Sequence, residues 1–203
     1  MRITIIGAGN VGQALGAGWR KSRHDVAYAL RSTSGKSAEA VRNFRIVPLN
    51  EAGNADLILL AVPWPAVPDA LKSAGSLAGK IVIDATNPLT PALELALGFS
   101  DSAGETVARL APGARLVKAF NTTGAENMTK PHAFPTKPMM PVASDDAEAK
   151  AIVRKLAEEL GFEAIDAGPL KAARLLEPLA MFWIKQAYAQ KFGPAFAFAL
   201  VRR

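Results

Sequence analysis

The sequence contains no cysteine and only two histidines in 203 residues. Disulfide bonds, thiolate catalysis and cysteine-ligated metals are therefore excluded. A zinc site built from several imidazoles is also out of reach, because only His24 and His132 could supply one. We expect His24, which lies in a polar turn, to be solvated, and we predict no bound metal.

Long apolar runs are absent as well. No stretch approaches the ~20 apolar residues that a membrane-spanning helix needs. A predicted strand begins at residue 2, so we also expect no signal peptide. These features predict a cytoplasmic protein with no membrane partner. With 50% hydrophobic and 21% charged residues, the composition is typical of a globular chain.

Acidic residues are outnumbered, and the formal net charge is +6. A positive charge favours anionic partners. The basic residues are scattered, however, and no nucleic-acid-binding motif is present. We therefore expect a small anionic ligand rather than a nucleic acid.

The chain begins with a strand, a glycine-rich turn and a helix. The β-branched run 3–6 predicts a buried strand, and Val11, Leu15 and Trp19 share one face of the helix that follows. The glycines between them have the spacing GxGxxG, which allows a sharp turn, a close approach of a diphosphate and tight helix packing. This context predicts dinucleotide binding. The residues expected to contact the cofactor here are Gly7, Ala8, Gly9, Asn10, Val11 and Gly12.

The end of the second predicted strand, residues 26–30, indicates which dinucleotide binds. Enzymes that use NAD place a carboxylate at this point to hold the ribose hydroxyls. This sequence has the run Arg31-Ser32-Thr33-Ser34 instead, whose hydroxyls can donate to a phosphate. A guanidinium pairs with a 2′-phosphate, which a carboxylate would repel. We therefore predict NADP(H) rather than NAD(H).

Further apolar runs predict the remaining strands of a doubly wound α/β sheet. A helix is expected at 36–43, and strands at 45–48, 55–63, 80–84 and 115–120. Their carboxyl ends face the cofactor crevice in such a sheet. The exit loops add Ala61, Val62, Pro63, Thr86 and Asn87 to the expected cofactor contacts. The expected substrate-lining residues are Asn87, Pro88, Asn121 and Thr122.

The polar residues Asp84, Thr86 and Asn87 have two interpretations. They contact the nicotinamide or the substrate, or they close the turn after the strand through local hydrogen bonds. Trp64 has the same ambiguity, because it lines the nucleotide or packs on the edge of the sheet. The sequence does not decide between these alternatives.

The C-terminal part combines a loop, two short strands and two helices. The proline-rich segment 129–141 is expected to be a loop, which would act as a lid. Strands are expected at 140–144 and 163–166. The helix between them should begin at a capping box formed by Asp145 and Glu148 and end at Gly161.

A last helix is expected over 169–191 with a kink at Pro178. We predict that Arg174 and Glu177 pair within it and that the tail 195–203 reaches a partner subunit in a homodimer. The predicted organisation is a dinucleotide-binding domain, 1–144, with a small C-terminal extension, 145–203, packed on it.

Several stretches resemble one family over nearly the whole chain. The family is that of the NADP-dependent oxidoreductases related to F420H2:NADP oxidoreductase, and the reductase domain of the STEAP metalloreductases is a more distant relative. The stretches that carry the resemblance are IIGAGNVG at 5–12, Arg31-Ser32, LAVP at 60–63, DATNPL at 84–89, KAFNT at 118–122 and DAGPL at 166–170 with Ala173, Arg174 and Glu177.

The resemblance implies a six-stranded parallel Rossmann core that binds NADPH, with the 2′-phosphate near Arg31 and Ser32. It also implies a second, planar substrate: a flavin (FMN or FAD) or a deazaflavin such as F420. Hydride would pass directly between the rings, so no catalytic side chain is expected. Deazaflavin specificity itself is not implied, because the residues around the acceptor are not distinctive.

Two rival functions remain open. One is a β-hydroxyacid dehydrogenase or imine reductase, which would need a larger helical domain than the roughly 35 residues after the last predicted strand. The other is a non-catalytic NADP(H) sensor. A sensor would bind NADPH without oxidising it.

Overall fold

The computed structural model describes residues 1–203, and its centre is a six-stranded parallel sheet. The strand order is β3-β2-β1-β4-β5-β6, so the order reverses between β1 and β4, as in a doubly wound Rossmann fold. The predicted α/β class is confirmed. The strands are β1 Arg2–Ile6, β2 Asp25–Leu30, β3 Arg45–Pro48, β4 Leu57–Leu60, β5 Ile81–Asp84 and β6 Arg115–Lys118.

Helices cover both faces of this sheet. One core cluster joins it to α1 and α6, with Leu15 and Trp19 fully buried; the other joins it to α3 and α4. The helix predicted at 36–43 is shorter than expected. The helices are α1 Asn10–Lys21, α2 Lys36–Ala40, α3 Val67–Ala74, α4 Ala103–Leu110, α5 Ala125–Thr129, α6 Ala147–Leu160 and α7 Ala173–Ile184.

A second, two-stranded parallel sheet follows the first. It pairs β7 (Met139–Val142) with β8 (Glu163–Asp166), and an antiparallel bridge between Lys118 and Ala143 connects it to β6. Met140 shares a core cluster with Ile3 of β1. The segments before and after residue 144 therefore share one core. The domain boundary at that residue stays a prediction.

Helix α6 begins one residue later than predicted. Asp146 caps it by accepting a hydrogen bond from the Ala149 N–H at 2.9 Å, whereas Asp145 accepts one from the Leu170 N–H at 3.0 Å. The two neighbouring aspartates thus hold different elements. The predicted C-terminal cap is confirmed, because Gly161 has a left-handed φ of 107°.

Replacing Asp146 should reduce stability in a pH-dependent way. The bidentate Arg115 guanidinium, with the Ala149 N–H, holds the pKa of Asp146 well below its usual range. A lowered pKa stabilises the fold above the unfolded value of about 3.9, and the gain is lost as the pH falls. We expect Asp146→Asn, which keeps a capping oxygen, to lower the unfolding free energy by about 1 kcal/mol at pH 7.

Urea denaturation at several pH values would measure this difference. It should shrink steadily as the pH falls below about 4, because the unfolded chain then takes up a proton at Asp146 while the folded protein still holds this carboxylate ionised. The exposed Asp69 on α3 offers a control, since Asp69→Asn should change stability little at any pH. A loss at Asp146 that is independent of pH would contradict the expectation.

The last helix differs from its prediction. Helix α7 ends at Ile184, and a π-helical turn continues to Ala189. The tail packs on its own chain, and its contact with a partner subunit stays a prediction. The Asn127 side chain donates to the Phe196 carbonyl at 2.7 Å, and the Met139 N–H donates to the Phe198 carbonyl at 2.8 Å. Aromatic packing holds the tail against the end of α7, since Trp183 stacks on Phe196 with ring centroids 5.3 Å apart.

The segment 129–141 is not a plain loop. It contains a 3-10 turn at Pro131–Ala133 and the start of β7. A methyl group on Gly161, at the end of α6, would touch the His132 ring. That end of α6 also contacts the far end of α1, at Gly18, away from the glycine-rich turn. The role of this segment as a lid over the crevice stays a prediction.

His24 is not simply solvated, as the sequence suggested. Its Nε2 lies 2.7 Å from Glu159 on α6, and its side chain is only 13% exposed.

No helix in the structure has both the length and the apolar character to cross a membrane.

Candidate functional site

One pocket lies at the carboxyl ends of β1, β2 and β4, where the strand order reverses. Its volume is about 490 Å³, within the range of small-ligand sites. Eight residues predicted as cofactor contacts from three separate segments line it together: Gly7, Ala8, Gly9, Arg31, Ser32, Ala61, Val62 and Pro63. Asn10, Val11 and Gly12 lie just behind, in the first turn of α1.

The glycine-rich turn is closely packed against the protein at Gly7 and Gly12 and is open at Gly9. Gly7 has a φ of 118°, and a methyl group there would overlap the Ala61 carbonyl. A methyl on Gly12 would overlap the Gly7 carbonyl, whereas one on Gly9 would meet nothing within 4 Å. Gly7 and Gly12 therefore serve the packing of β1, β4 and α1. The open space at Gly9 is available to a ligand.

Helix α1 begins at this turn with free backbone donors. Gly9 is its N-cap, in extended conformation, and no side chain caps it. The first N–H groups of a helix have no intrahelical partner, and they carry the positive end of the helix dipole. The Tyr28 hydroxyl donates to the Gly12 carbonyl at 2.8 Å, which fixes this turn of α1 to β2. The result is an anion-binding arrangement.

The other end of the pocket is basic and rich in hydroxyls. Arg31 and Ser32 follow β2, and Ser34, Lys36 and Ser37 complete the lining. Sequence reasoning named Ser34 in the run after β2 but missed Lys36 and Ser37. Lys36 could have been found, because it opens α2 five residues after Arg31. No carboxylate lines the pocket.

The exit loops of β5 and β6 meet beyond this pocket, and they do not line it. The Asn87 side chain donates to the Asn121 carbonyl at 2.9 Å, and the Asn121 side chain donates to Asn87 Oδ1 at 3.1 Å. Asn121, Thr122 and Thr86 are all buried. The structure therefore places these predicted site residues close to one another, on the side of β4 that is away from β1. Trp64 packs against a core cluster and does not line the pocket.

A buried ionic network lies under the two exit loops. The Lys118 ammonium donates to Asp84 at 2.9 Å, to the Thr86 carbonyl at 2.6 Å and lies 2.9 Å from Glu177. The three charged side chains are completely buried. Asp84 also accepts from the Thr86 N–H at 2.9 Å and hydroxyl at 2.7 Å. The turn-closing interpretation of Asp84 is therefore confirmed.

The predicted pairing of Arg174 with Glu177 is wrong. Glu177 instead accepts hydrogen bonds from the backbone N–H groups of Ala103 and Gly104, at the start of α4. Arg174 pairs with Glu105 of that helix through two bonds of 2.7 and 2.8 Å. These partners of Glu177 and Arg174 all belong to α4, because α7 packs against that helix. Arg174 also holds the pKa of Glu105 below its usual value.

Removing the ammonium of this network should be severely destabilising. Lys118→Met keeps the length of the side chain but leaves two buried carboxylates facing each other without a cation. We expect the unfolding free energy to fall by about 3–5 kcal/mol, measured by urea denaturation. Arg174→Met, which breaks a pair that is 20–25% exposed, should cost less. Similar losses in the two variants would contradict a special role for Lys118.

A second, shallower groove of about 350 Å³ lies between α1 and α5. It begins at Asn10, beside the glycine-rich turn, and runs to Glu126 and Thr129, just after the exit loop of β6. No group of three or more histidine, aspartate or glutamate side chains is placed to hold a metal ion.

Comparisons with known proteins agree with this geometry. The model of a family described as NADP oxidoreductase, coenzyme F420-dependent, matches residues 2–88. A structure from Arthrobacter sp. FB24, provisionally named an F420-dependent NADP reductase, is 28% identical, with a TM-score of 0.91 over 100% of both chains. A hypothetical protein from Sinorhizobium meliloti is 30% identical, with a TM-score of 0.75 over 85% of this chain and 87% of that one.

More distant proteins share the fold or part of the sequence. Metalloreductase STEAP3 of Rattus norvegicus is 26% identical over 89% of this chain, which spans only 36% of the length of that relative. Imine reductases and a reductive aminase have TM-scores of 0.61–0.70 at 17–21% identity. At that level of identity the likeness extends to the fold alone.

Proposed function

We propose that the chain belongs to the family of NADP oxidoreductases described as coenzyme F420-dependent, whose model matches residues 2–88, and that it transfers a hydride between NADP(H) and a flavin or deazaflavin. An NADP-dependent oxidoreductase needs a site for the cofactor and room for an acceptor beside it. The pocket at β1, β2 and β4 and the groove between α1 and α5 supply these two requirements.

The observation that carries the proposal is the pairing of two anion sites in one pocket. The diphosphate would lie against Gly9 and the first turn of α1, where backbone donors are free. The 2′-phosphate would lie between Arg31 and Lys36, with the hydroxyls of Ser32, Ser34 and Ser37 as further donors. The lack of a carboxylate there favours NADP(H) over NAD(H).

The nicotinamide would then lie over the other half of the sheet. In this strand order the two halves of a dinucleotide lie on either side of the reversal between β1 and β4. The adenosine half occupies the side of β1 and β2, which leaves the exits of β4, β5 and β6 for the nicotinamide. We propose Val62, Pro63, Thr86 and Asn87 as its neighbours, and Pro88, Asn121 and Thr122 as residues near the acceptor.

The chemistry requires positioning rather than a catalytic side chain. A hydride passes from C4 of the nicotinamide to an electron-poor ring held in contact with it, and the protein contributes distance, orientation and the exclusion of water. The groove that begins at Asn10 gives the acceptor ring a route to the nicotinamide face. The fixed loops after β5 and β6 hold the opposite side.

Turnover of NADPH with a panel of acceptors tests this proposal. The panel contains F420, FMN, FAD, riboflavin and a ferric chelate, and the readout is loss of NADPH absorbance. For a deazaflavin, NADPH that carries deuterium in both hydrogen positions of C4 should transfer one deuterium to C5 of the product, where it does not exchange with water. We expect oxidation with at least one tricyclic acceptor and retention of the label.

Two outcomes would contradict the proposal. Label lost to water in the deazaflavin product would exclude direct hydride transfer. Tight, stoichiometric NADPH binding without oxidation by any acceptor would instead identify a non-catalytic NADP(H) sensor.

A further inference from the structure

One acceptor atom at the junction of the β5 and β6 loops has no partner. Asn121 is 4% exposed, and its Oδ1 is buried without a hydrogen bond. Its Nδ2, by contrast, is fully used, since it donates to Asn87 Oδ1 at 3.1 Å and to the Leu176 carbonyl at 3.2 Å. A buried polar atom without a partner costs about as much free energy as a lost hydrogen bond, so native proteins rarely retain one.

The orientation of this amide follows from its neighbours. If nitrogen and oxygen of Asn121 were exchanged, the oxygen would face the carbonyl oxygen of Leu176, and two acceptors would repel each other. The amide of Asn87 is fixed in the same way, because its nitrogen donates to the Asn121 carbonyl. The unpartnered atom is therefore an acceptor, and only an N–H or O–H donor can satisfy it.

The surrounding frame prevents the amide from finding a donor by moving. Lys118 and Asp84 fix the β5 exit loop by bonds to the carbonyl, N–H and hydroxyl of Thr86. Glu177, the residue after Leu176, fixes α7 to Lys118 and to the start of α4. Both partners of the Asn121 nitrogen are thus held in place. Asn121 Oδ1 is thus left as an acceptor that no group of the chain satisfies.

The position of Asn121 identifies that donor by chemistry. It follows β6, at the strand exits where the proposed function places the nicotinamide and, in contact with it, the acceptor. We propose, resting on that function, that Asn121 Oδ1 accepts a hydrogen bond from the carboxamide N–H of the nicotinamide ring. Asn121 then determines specificity for a ring that carries an N–H donor. Oδ1 is inaccessible to solvent in the chain alone, so this contact requires the side chains around it to move when the nucleotide binds.

Equilibrium binding of two nucleotides tests this inference. The first is NADP⁺, and the second is its 3-acetylpyridine analogue, in which a methyl group replaces the amide nitrogen. The analogue keeps the shape and charge of the ring but has no N–H to donate. We expect wild type to bind NADP⁺ about tenfold more tightly than the analogue, and Asn121→Leu to bind the two with nearly equal affinity.

Asn127→Ala is the matched control. Asn127 is also 4% exposed, but its side chain donates only to Thr123, Pro194 and Phe196 within the chain. This variant should keep the tenfold preference even if it is less stable.

Equal affinities of wild type for both nucleotides would overturn the inference while leaving the proposed function intact. A tenfold preference that persists in Asn121→Leu would overturn it as well. Failure of wild type to bind either nucleotide would overturn the proposed function together with it.

Discussion

Arg31→Glu is expected to weaken NADPH binding by roughly a hundredfold and to leave NADH binding nearly unchanged or improved. The substitution removes a charge-assisted hydrogen bond to the 2′-phosphate and places a carboxylate beside it, and a hundredfold loss corresponds to about 2.7 kcal/mol. A glutamate at the end of β2 also suits the free ribose hydroxyls of NADH. Fluorescence titration with both cofactors would measure the change in preference.

A charge reversal at Lys72 separates the local effect at Arg31 from the effect of changing the net charge of the protein. Lys72 is exposed in the last turn of α3 and does not line the pocket. Lys72→Glu makes the same change in net charge and should alter NADPH affinity by less than about threefold at physiological ionic strength. Equal affinities of the unmodified protein for NADPH and NADH would show that Arg31 does not recognise the phosphate.

Gly9→Ala is expected to weaken binding of NADPH and NADH alike, by roughly thirtyfold, without unfolding the protein. Gly9 has a φ of −77°, which alanine adopts easily, and a methyl there meets nothing within 4 Å in the chain. The methyl would instead occupy the space through which the diphosphate approaches the backbone. Loss of one charge-assisted contact, about 2 kcal/mol, gives this factor.

Gly12→Ala should mainly lower the stability of the fold, whereas Gly9→Ala should mainly weaken binding. Its methyl would overlap the Gly7 carbonyl, so the substitution strains the packing of α1 on β1 and should lower the unfolding free energy by about 1–3 kcal/mol. Thermal unfolding measured beside binding distinguishes the two variants. A Gly9→Ala protein that binds NADPH as tightly as wild type would contradict the position given to the diphosphate.

The core of the fold was predictable because local patterns determine it. The run LILL in β4 is apolar at every position, as expected of a parallel strand buried on both faces. The spacing of Leu15 and Trp19 identified the buried face of α1. Proximity to the glycine-rich turn was equally predictable for Arg31 and Val62, because all three segments leave the same edge of a parallel sheet.

Contacts between distant segments were not predictable from such patterns. Arg174 and Glu177 have the spacing of a pair on one helix. Each pairs instead with a residue of α4 or β6, which is distant in sequence and lies close to α7 only in the packed fold. The tail alternates apolar and small residues, which fits a surface of another subunit as well as the aromatic cluster around Trp183. Sequence periodicity indicates that a face is buried, but not what covers it.

The cap of α6 illustrates a smaller limit. Asp145 and Asp146 are neighbours with the same side chain, and both are good capping residues. The choice between them depended on Leu170 and Arg115, which lie 25 and 31 residues away along the chain. Ser37 was missed for a similar reason. A hydroxyl in a polar loop has no sequence signature until the path of the loop is known.

A crystal structure of the protein with NADP⁺ tests the central claim most directly. We expect the diphosphate against the Gly7–Gly12 turn and the first N–H groups of α1, with the 2′-phosphate between Arg31 and Lys36. The nicotinamide should lie beyond β4, near Asn87 and Asn121. A nucleotide bound elsewhere, or crystals grown with saturating NADP⁺ in which this turn stays empty, would contradict the account.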